Sequence, residues 1–243
     1  MKHKIYRFKK LNSTNKFLKE NCDKYTPYSV IIADEQEEGH GRYQRKWHSA
    51  KGKDLTFSLL LPLNKKESYI WANITQITAI AILETAKEYR LDSKIKWPND
   101  ILIDDQKISG ILTEVISCKT GSYAIVGVGI NINSSKKELI SINQKATSFF
   151  VESKIEHRID IILDKILKKI VDNYTILSQN GFEPFYKTFS DNLAWKDRLI
   201  TLKDGNKSIM GTIINLNKDG TLNFKYKNSS DIITLNSGEL LQY

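Results

Sequence analysis

The densest chemistry in this 243-residue chain lies in Gly39-His40-Gly41-Arg42-Tyr43-Gln44-Arg45-Lys46-Trp47. Two glycines let backbone approach a ligand closely, and Arg42, Arg45 and Lys46 place three cations within five positions. Backbone amides and fixed positive charge together can bind phosphate oxygens. A basic surface loop has the same composition, so the segment needs company. A second segment, Lys96-Trp97-Pro98-Asn99-Asp100, ends a strand in a proline-forced extended turn and leaves a neutral amide beside a carboxylate. Asp100 could hold Mg²⁺ or orient a ligand. Lys107 follows and opens the apolar run Ile108-Ser109-Gly110-Ile111-Leu112, the pattern of a cation aimed into a cleft. A fourth segment, Gly127-Val128-Gly129-Ile130-Asn131-Ile132-Asn133, puts its glycines on one strand face, where a flat ring could lie and Asn131 could read a purine edge. Its spacing matches neither a dinucleotide-binding nor a P-loop fingerprint.

These segments need elements to hold them. Lys4–Phe8 reads as a strand, and Asn12 or Ser13 can cap a helix running to about Asn21. Ser29–Asp34 and Leu55–Leu61 read as strands on either side of the long polar stretch Glu35–Asp54, whose length suits a functional loop. Between Glu67 and Tyr89 the apolar positions follow a helical period. Three strands, Lys94–Trp97, Lys107–Ile116 and Ser122–Asn133, are separated by the turn signals Asp104-Asp105-Gln106 and Lys119-Thr120-Gly121, giving a hairpin-rich, mostly antiparallel sheet. Residues 134–156 are polar and weakly patterned. A strong helical stripe then runs from Ile159 to Leu177, and a shorter helix covers Phe182–Asn192. Beyond Trp195, short alternating strands (Leu199–Leu202, Ser208–Leu216, Thr221–Lys227, Asp231–Leu235), broken by Asp204-Gly205 and Asp219-Gly220, indicate a small β-barrel. The expected division is residues 1–193 and 194–243.

Composition narrows the class. With 40% hydrophobic and 27% charged residues the chain is globular, not disordered. Its net charge of +9 favours anionic partners without choosing among nucleotide, nucleic acid and acidic protein. Cys22 and Cys118 form no CxxC pair and have no histidine cluster nearby, which reads as two buried thiols in a reducing compartment. The basic start is followed by no apolar stretch, and no segment is long enough to span a bilayer, so a cytoplasmic protein is expected.

Taken in order and with Ser13-Thr14-Asn15, the four segments resemble the biotin protein ligase family. The resemblance runs over nearly the whole chain: the Ser-Thr-Asn helix start, Gln36 with the G-x-G-R-x-x-R-x-W loop, K-W-P-N-D, K-x-x-G-I-L, G-x-G-I-N and the small C-terminal barrel. It implies an α+β fold, a central mixed, mostly antiparallel sheet flanked by helices, with an SH3-like β-barrel appended. It also implies a carbon–nitrogen ligase that activates biotin with ATP and Mg²⁺ to biotinyl-adenylate. The biotin then passes to a lysine of a biotin carboxyl carrier protein, as in acetyl-CoA carboxylase. Carried over residue by residue, Ser13, Thr14, Asn15, Gln36, His40, Gly41, Arg42, Lys107 and Gly110 would hold biotin. Arg42, Arg45, Trp47, Asn99, Asp100, Lys107 and Asn131 would hold the nucleotide, and Arg42, Lys107 and Asp100 would carry catalysis. Mg²⁺ would be held mainly by ATP phosphates, with Asp100 as an available ligand.

Two positions depart from the family loop G-R-G-R-x-G-R: His40 stands for its first arginine and Gln44 for a glycine. The contact at position 40 can run through backbone, whereas Gln44 restricts the loop. The chain begins a dozen residues before Ser13, too few for the helix-turn-helix of dual-function members, so no DNA partner is expected, and the lack of a spanning apolar segment makes a membrane partner unexpected too. A homodimer through an edge of the central sheet is compatible with the sequence. The rival readings are a lipoate ligase or octanoyl transferase of the same fold, and a non-enzymatic nucleic-acid module.

Overall fold

The computed structural model describes residues 3–140, 145–204 and 207–242. Gly205 of the expected Asp204-Gly205 turn and residues 141–144 lie outside them. Strand β1 (Ile5–Phe8) leads to α1 (Thr14–Asn21), then β2 (Val30–Ala33) and β3 (Leu55–Leu63). Helix α2 (Asn73–Glu88) crosses to β4 (Lys94–Lys96), β5 (Asp100–Ile103), β6 (Gln106–Cys118) and β7 (Gly121–Ile130). After α3 (Lys136–Ile140) and α4 (Phe149–Ser153) come α5 (Ile159–Asn180) and α6 (Glu183–Asp191). The chain ends in β8 (Leu199–Asp204), β9 (Lys207–Leu216), β10 (Leu222–Tyr226), β11 (Ile232–Leu235) and β12 (Glu239–Leu241).

The first seven strands form one sheet in the order β1-β2-β3-β7-β6-β5-β4. Among the described residues only β1 and β2 pair as parallel strands, and the other strand pairs in it are antiparallel, giving the mixed sheet expected. Strand alternation gives this sheet two unlike faces. On one, Phe57, Leu59, Leu61, Val126, Val128 and Ile130 pack with Ile74, Ile77, Ile166 and Ile170 of α2 and α5. On the other, Leu60, Ile116, Tyr123 and Ile125 pack with Leu18 and Cys22 at α1. Gly127 and Gly129 share the parity of Tyr123 and Ile125, so they face the α1 side just where α1 stops covering the sheet. The last five strands form an antiparallel sheet, β11-β10-β9-β8-β12, the small SH3-like unit. Its Ile200, Ile213, Phe224 and Leu240 join the α2/α5 core.

Several elements differ from the sequence reading. The stretch before α2 is a separate 3-10 helix, Lys65–Ile70, whose first turn is capped by Asn64 accepting from Lys66 N. Strand β5 was hidden because its four residues lie between a proline turn and the tight Asp104-Asp105 turn, where both residues have positive φ (46° and 62°). The 134–156 stretch contains α3 and α4, and Phe149 of α4 is fully buried. The reading of Cys22 and Cys118 as thiols is wrong: their sulfurs are bonded, joining the end of α1 to the end of β6 across 96 positions of sequence. A local search for cysteine motifs cannot register so distant a pair. No described helix is long and apolar enough to cross a membrane.

Candidate active site

A cavity of about 510 Å³ opens on the α1 side of the seven-stranded sheet, a size suited to small-molecule recognition. One end is built from the start of α1. Ser13 caps the helix by accepting from Lys16 N. Thr14 and Asn15 follow on the buried first turn, each 4% exposed. Gln36 reaches back from the loop after β2, its Oε1 accepting from Thr14 N (2.8 Å) and from Thr14 Oγ1 (3.1 Å). The floor is strand backbone. A Cβ on Gly127 would lie 2.2 Å from Asn15 Oδ1, so only glycine admits the Asn15 carboxamide against β7.

The other end is cationic. Asp100 opens β5 and accepts from Lys107 Nζ at 2.7 Å and from Lys96 Nζ at 3.4 Å. Burial alone would raise the Asp100 carboxyl, but Lys107 and then Lys96 outweigh it and hold the group below the usual carboxylate range. Burial lowers the Lys96 ammonium, partly offset by Asp100. Asn99 donates to Asp100 Oδ1 (3.2 Å) and to Ile111 O (3.0 Å), which turns its own oxygen toward Arg42 Nη1 (3.2 Å).

The 39–47 loop lies over this cluster as a narrow hairpin, with Gly41 N donating to Arg45 O (2.7 Å) and Trp47 N to Gly39 O (2.8 Å). Tyr43 and Gln44 turn it with φ of 56° and 57°. The glycine expected at position 44 would suit that left-handed backbone, and glutamine holds it at a cost of about 1 kcal/mol. The loop is latched to the C-terminal sheet: Arg42 Nη1 donates to Gly238 O (3.1 Å), and Arg45 pairs with the buried Glu239. The flat ring that the glycine strand can accommodate is the protein's own Trp47 indole. A Cβ on Gly129 would fall 2.2 Å from its Cε2. Its Nε1 is buried with no partner among the described residues.

Ser13, Thr14, Asn15, Gln36, His40, Gly41, Arg42, Arg45, Trp47, Asn99, Asp100, Lys107 and Gly110 all line this one cavity. Asn131 does not. Its Nδ2 donates to Thr147 O (2.9 Å) and Lys107 O (3.4 Å), which ties the start of β6 to the approach to α4. The His40 ring lies by Glu38 O (3.2 Å), and backbone bridging pairs His40 with Lys46. Sequence reasoning missed Lys96, although it quoted the segment that contains it. It also missed Gly238 and Glu239, which nothing local marks because they act through the second sheet, and Trp195, whose ring lies 5.3 Å from Lys96 Nζ.

A seven-stranded mixed sheet carrying this cavity, with a small antiparallel sheet at its rim, defines an α+β domain with a small-molecule-sized site. A model of the Biotin/lipoate A/B protein ligase family matches residues 7–131, and the chain belongs to that family. The bifunctional ligase/repressor BirA of Bacillus subtilis is 30% identical over 225 residues, spanning 87% of this chain, and that of Escherichia coli is 26% identical over 215 residues. The chain spans 66% of the length of these two relatives, just under two thirds. Among solved structures, the biotin protein ligase from Aquifex aeolicus in complex with biotin and ATP superposes with a TM-score of 0.83 at 26% identity, covering 98% of this chain and 97% of that one.

Proposed function

We propose that this chain is a biotin protein ligase acting on biotin, ATP and a lysine of a biotin carboxyl carrier protein. The observation that carries the reading is one cavity with two unlike ends: a neutral, hydrogen-bonding end at Ser13, Thr14, Asn15 and Gln36, and a cationic end at Arg42, Arg45, Lys96 and Lys107. The first suits a small polar ring, and the second suits the place where a carboxylate must meet a triphosphate. The names of the relatives favour biotin over lipoate or octanoate as the acid.

In the first step a biotin carboxylate oxygen attacks the α-phosphorus of ATP, forming the acyl-phosphate bond as the bond to pyrophosphate breaks. Two anions must approach, and Lys107 and Arg42 offset that charge, Arg45 doing the same on releasing Glu239. Asn99 and Asp100 hold these cations in place. In the second step the neutral amine of the acceptor lysine attacks the acyl carbon, AMP leaves, and the nitrogen sheds a proton to solvent. The 39–47 loop keeps water from the mixed anhydride between the steps. Every carboxylate lining the cavity among the described residues is paired with a cation or a donor: Asp100 with Lys96 and Lys107, Glu239 with Arg45, Asp105 with Trp195 and Arg198. That pairing fits a Mg²⁺ carried mainly by the nucleotide phosphates, with Asp100 free to reach it only where Lys96 or Lys107 lets go. When bound, the ion would neutralise charge on the departing pyrophosphate. Asn131 would act on the nucleotide end only indirectly, by holding the Lys107 backbone. We assign residues 1–193 to the catalytic domain and 194–243 to the barrel, and place the protein in the cytoplasm with its ATP, where the Cys22–Cys118 bond would face reducing conditions.

Exchange of labelled pyrophosphate into ATP, run with biotin, lipoate or octanoate, tests this without the carrier. Exchange dependent on biotin alone is expected. Exchange dependent on lipoate would move the chain to the rival branch of the family, and none with any acid would refute adenylation.

A further inference from the structure

Two residues outside the cavity, Glu114 and Ser58, hydrogen-bond with residues of its neutral end. Asn15 Nδ2 donates to Glu114 Oε2 (2.9 Å) and to Leu112 O (3.3 Å). A carboxylate and a carbonyl can only accept, so they hold the NH₂ side of Asn15 toward β6 and turn its oxygen toward β3. There it meets Ser58 Oγ at 2.6 Å. Ser58 is fully buried and has one hydrogen, with Asn15 Oδ1 and Thr14 Oγ1 (2.7 Å) both in reach. With Asn15 held by Glu114, the Ser58 hydrogen goes to Asn15. The Thr14 hydrogen then has Gln36 Oε1 (3.1 Å) or Ser58 Oγ as acceptor. On either route it ends on protein, and Thr14 offers the cavity lone pairs only. Gln36, its oxygen already taken by Thr14 N, offers its NH₂.

We propose that Glu114, acting through Asn15 and Ser58, is a positioning residue that keeps the Ser58 hydrogen off Thr14 Oγ1 and so leaves the Thr14 lone pairs free at the ring end. An acceptor at Thr14 beside a donor at Gln36 then selects a ring carrying an N–H next to a C=O, as a cyclic urea does. A dithiolane or a plain acyl chain offers neither group. Lys19, 3.4 Å from the other Glu114 oxygen, keeps the carboxylate turned to Asn15. The inference rests on the biotin reading above and adds to it the residue that enforces ring choice from outside the cavity.

The test is pyrophosphate exchange by the full chain with biotin and with biotin methylated on a ring nitrogen, using wild type, Glu114→Ala, Glu114→Gln, Ser58→Ala and the double alanine variant. Losing one directed hydrogen bond is worth about 3- to 10-fold. Glu114→Ala should raise KM for biotin by that factor, leave kcat and KM for ATP within about twofold, and narrow the preference for biotin over the methylated ring equally. Glu114→Gln retains an acceptor for Asn15 and should recover most of the loss. The double variant should lose less than the product of the single losses, because both act on one chain of bonds. An unchanged biotin KM and ring preference in Glu114→Ala would overturn the proposal, as would an equal loss for both rings or a fall in kcat alone. Should Ser58→Ala not fold, the partly exposed Glu114 variants carry the test. Wild type without biotin-dependent exchange would remove the parent reading as well, whereas wild-type exchange with a flat variant series removes this inference alone.

Discussion

Replacing the two partners at the cationic end should have opposite balances of harm. Asp100 is buried and shared by Lys107 at 2.7 Å and Lys96 at 3.4 Å. The trio carries +1, two ammonium groups less one carboxylate; Asp100→Asn makes it +2 and Lys107→Met makes it 0. In Asp100→Asn two ammonium groups that shared one carboxylate face each other at roughly 5–6 Å, a repulsion of about 3 kcal/mol at an effective dielectric of 20. Breaking a buried pair costs about 3–5 kcal/mol. The two figures describe overlapping effects, so the expected loss of stability is about 3–5 kcal/mol and not their sum. Lys107→Met leaves the Lys96–Asp100 pair neutral and intact, so it should cost only the charge-assisted hydrogen bond, about 1.5–3 kcal/mol. Activity should rank the other way for its cause: Lys107→Met removes the cation facing the reacting anions and should lower exchange by about 10²–10³-fold in a folded protein. Urea unfolding of both variants, with exchange at saturating biotin and ATP, reads both quantities. The reasoning fails if Asp100→Asn is no less stable than Lys107→Met, or if Lys107→Met keeps exchange within about threefold of wild type.

Gly129→Ala puts a Cβ 2.2 Å from Trp47 Cε2 and must expel the indole. Loss of that packing, about 1.5–3 kcal/mol, should open the loop at least ~10-fold more often and speed tryptic cleavage after Arg42, Arg45 or Lys46, and unchanged cleavage would contradict it. Lys53, then Ser135, pulls Glu138 down to about 2 from the usual carboxylate range. A depressed acid stabilises the fold above its unfolded pKa and loses that contribution as pH falls through its folded one. Glu138→Gln should therefore cost under about 1 kcal/mol at pH 7, because the pair is exposed, and the gap from wild type should close between about pH 5 and pH 2. A gap independent of pH would point to some other cause. Reducing the Cys22–Cys118 bond releases a cross-link spanning 96 positions, for which chain entropy predicts a loss of about 4–5 kcal/mol. Equal urea midpoints with and without reductant would refute that estimate.

Much of this was legible because the relevant signals are local. The stripes of α2 and α5, the turn signals at Asp104-Asp105-Gln106 and Lys119-Thr120-Gly121, and a helix cap at Asn12 or Ser13 are short-range patterns, and the structure contains the stripes, both turns and the cap at Ser13. The site segments are local runs too, but Arg42, Asn99, Asp100 and Lys107 draw their roles from the family resemblance, because each run alone also fits a basic loop, a solvent-facing turn or a strand-end lysine. Asn131 misled because strand alternation says which face a residue takes only while the strand lasts. Strand β7 ends at Ile130, and Asn131 turns to the Lys107 and Thr147 carbonyls instead.

Lys96 and β5 were obscured by their immediate neighbours, but Ser58 and Glu239 stayed hidden because their meaning depends on a partner tens of residues away. Ser58 sits in an apolar strand where a serine looks like a minor interruption, yet full burial with Asn15 and Thr14 at 2.6 and 2.7 Å makes it a junction. Glu239 lies beyond the last strand read from the sequence, and only its place in β12 of the second sheet brings it to Arg45. Such residues cannot be found from periodicity, because a buried polar group is tolerated only when its partner is present and the partner lies elsewhere in the chain. A serine inside an apolar run is a testable pointer all the same. Full burial obliges it to find a hydrogen-bond partner, and here Ser58 finds Thr14 and Asn15, polar residues at the N-terminus of α1 on that face.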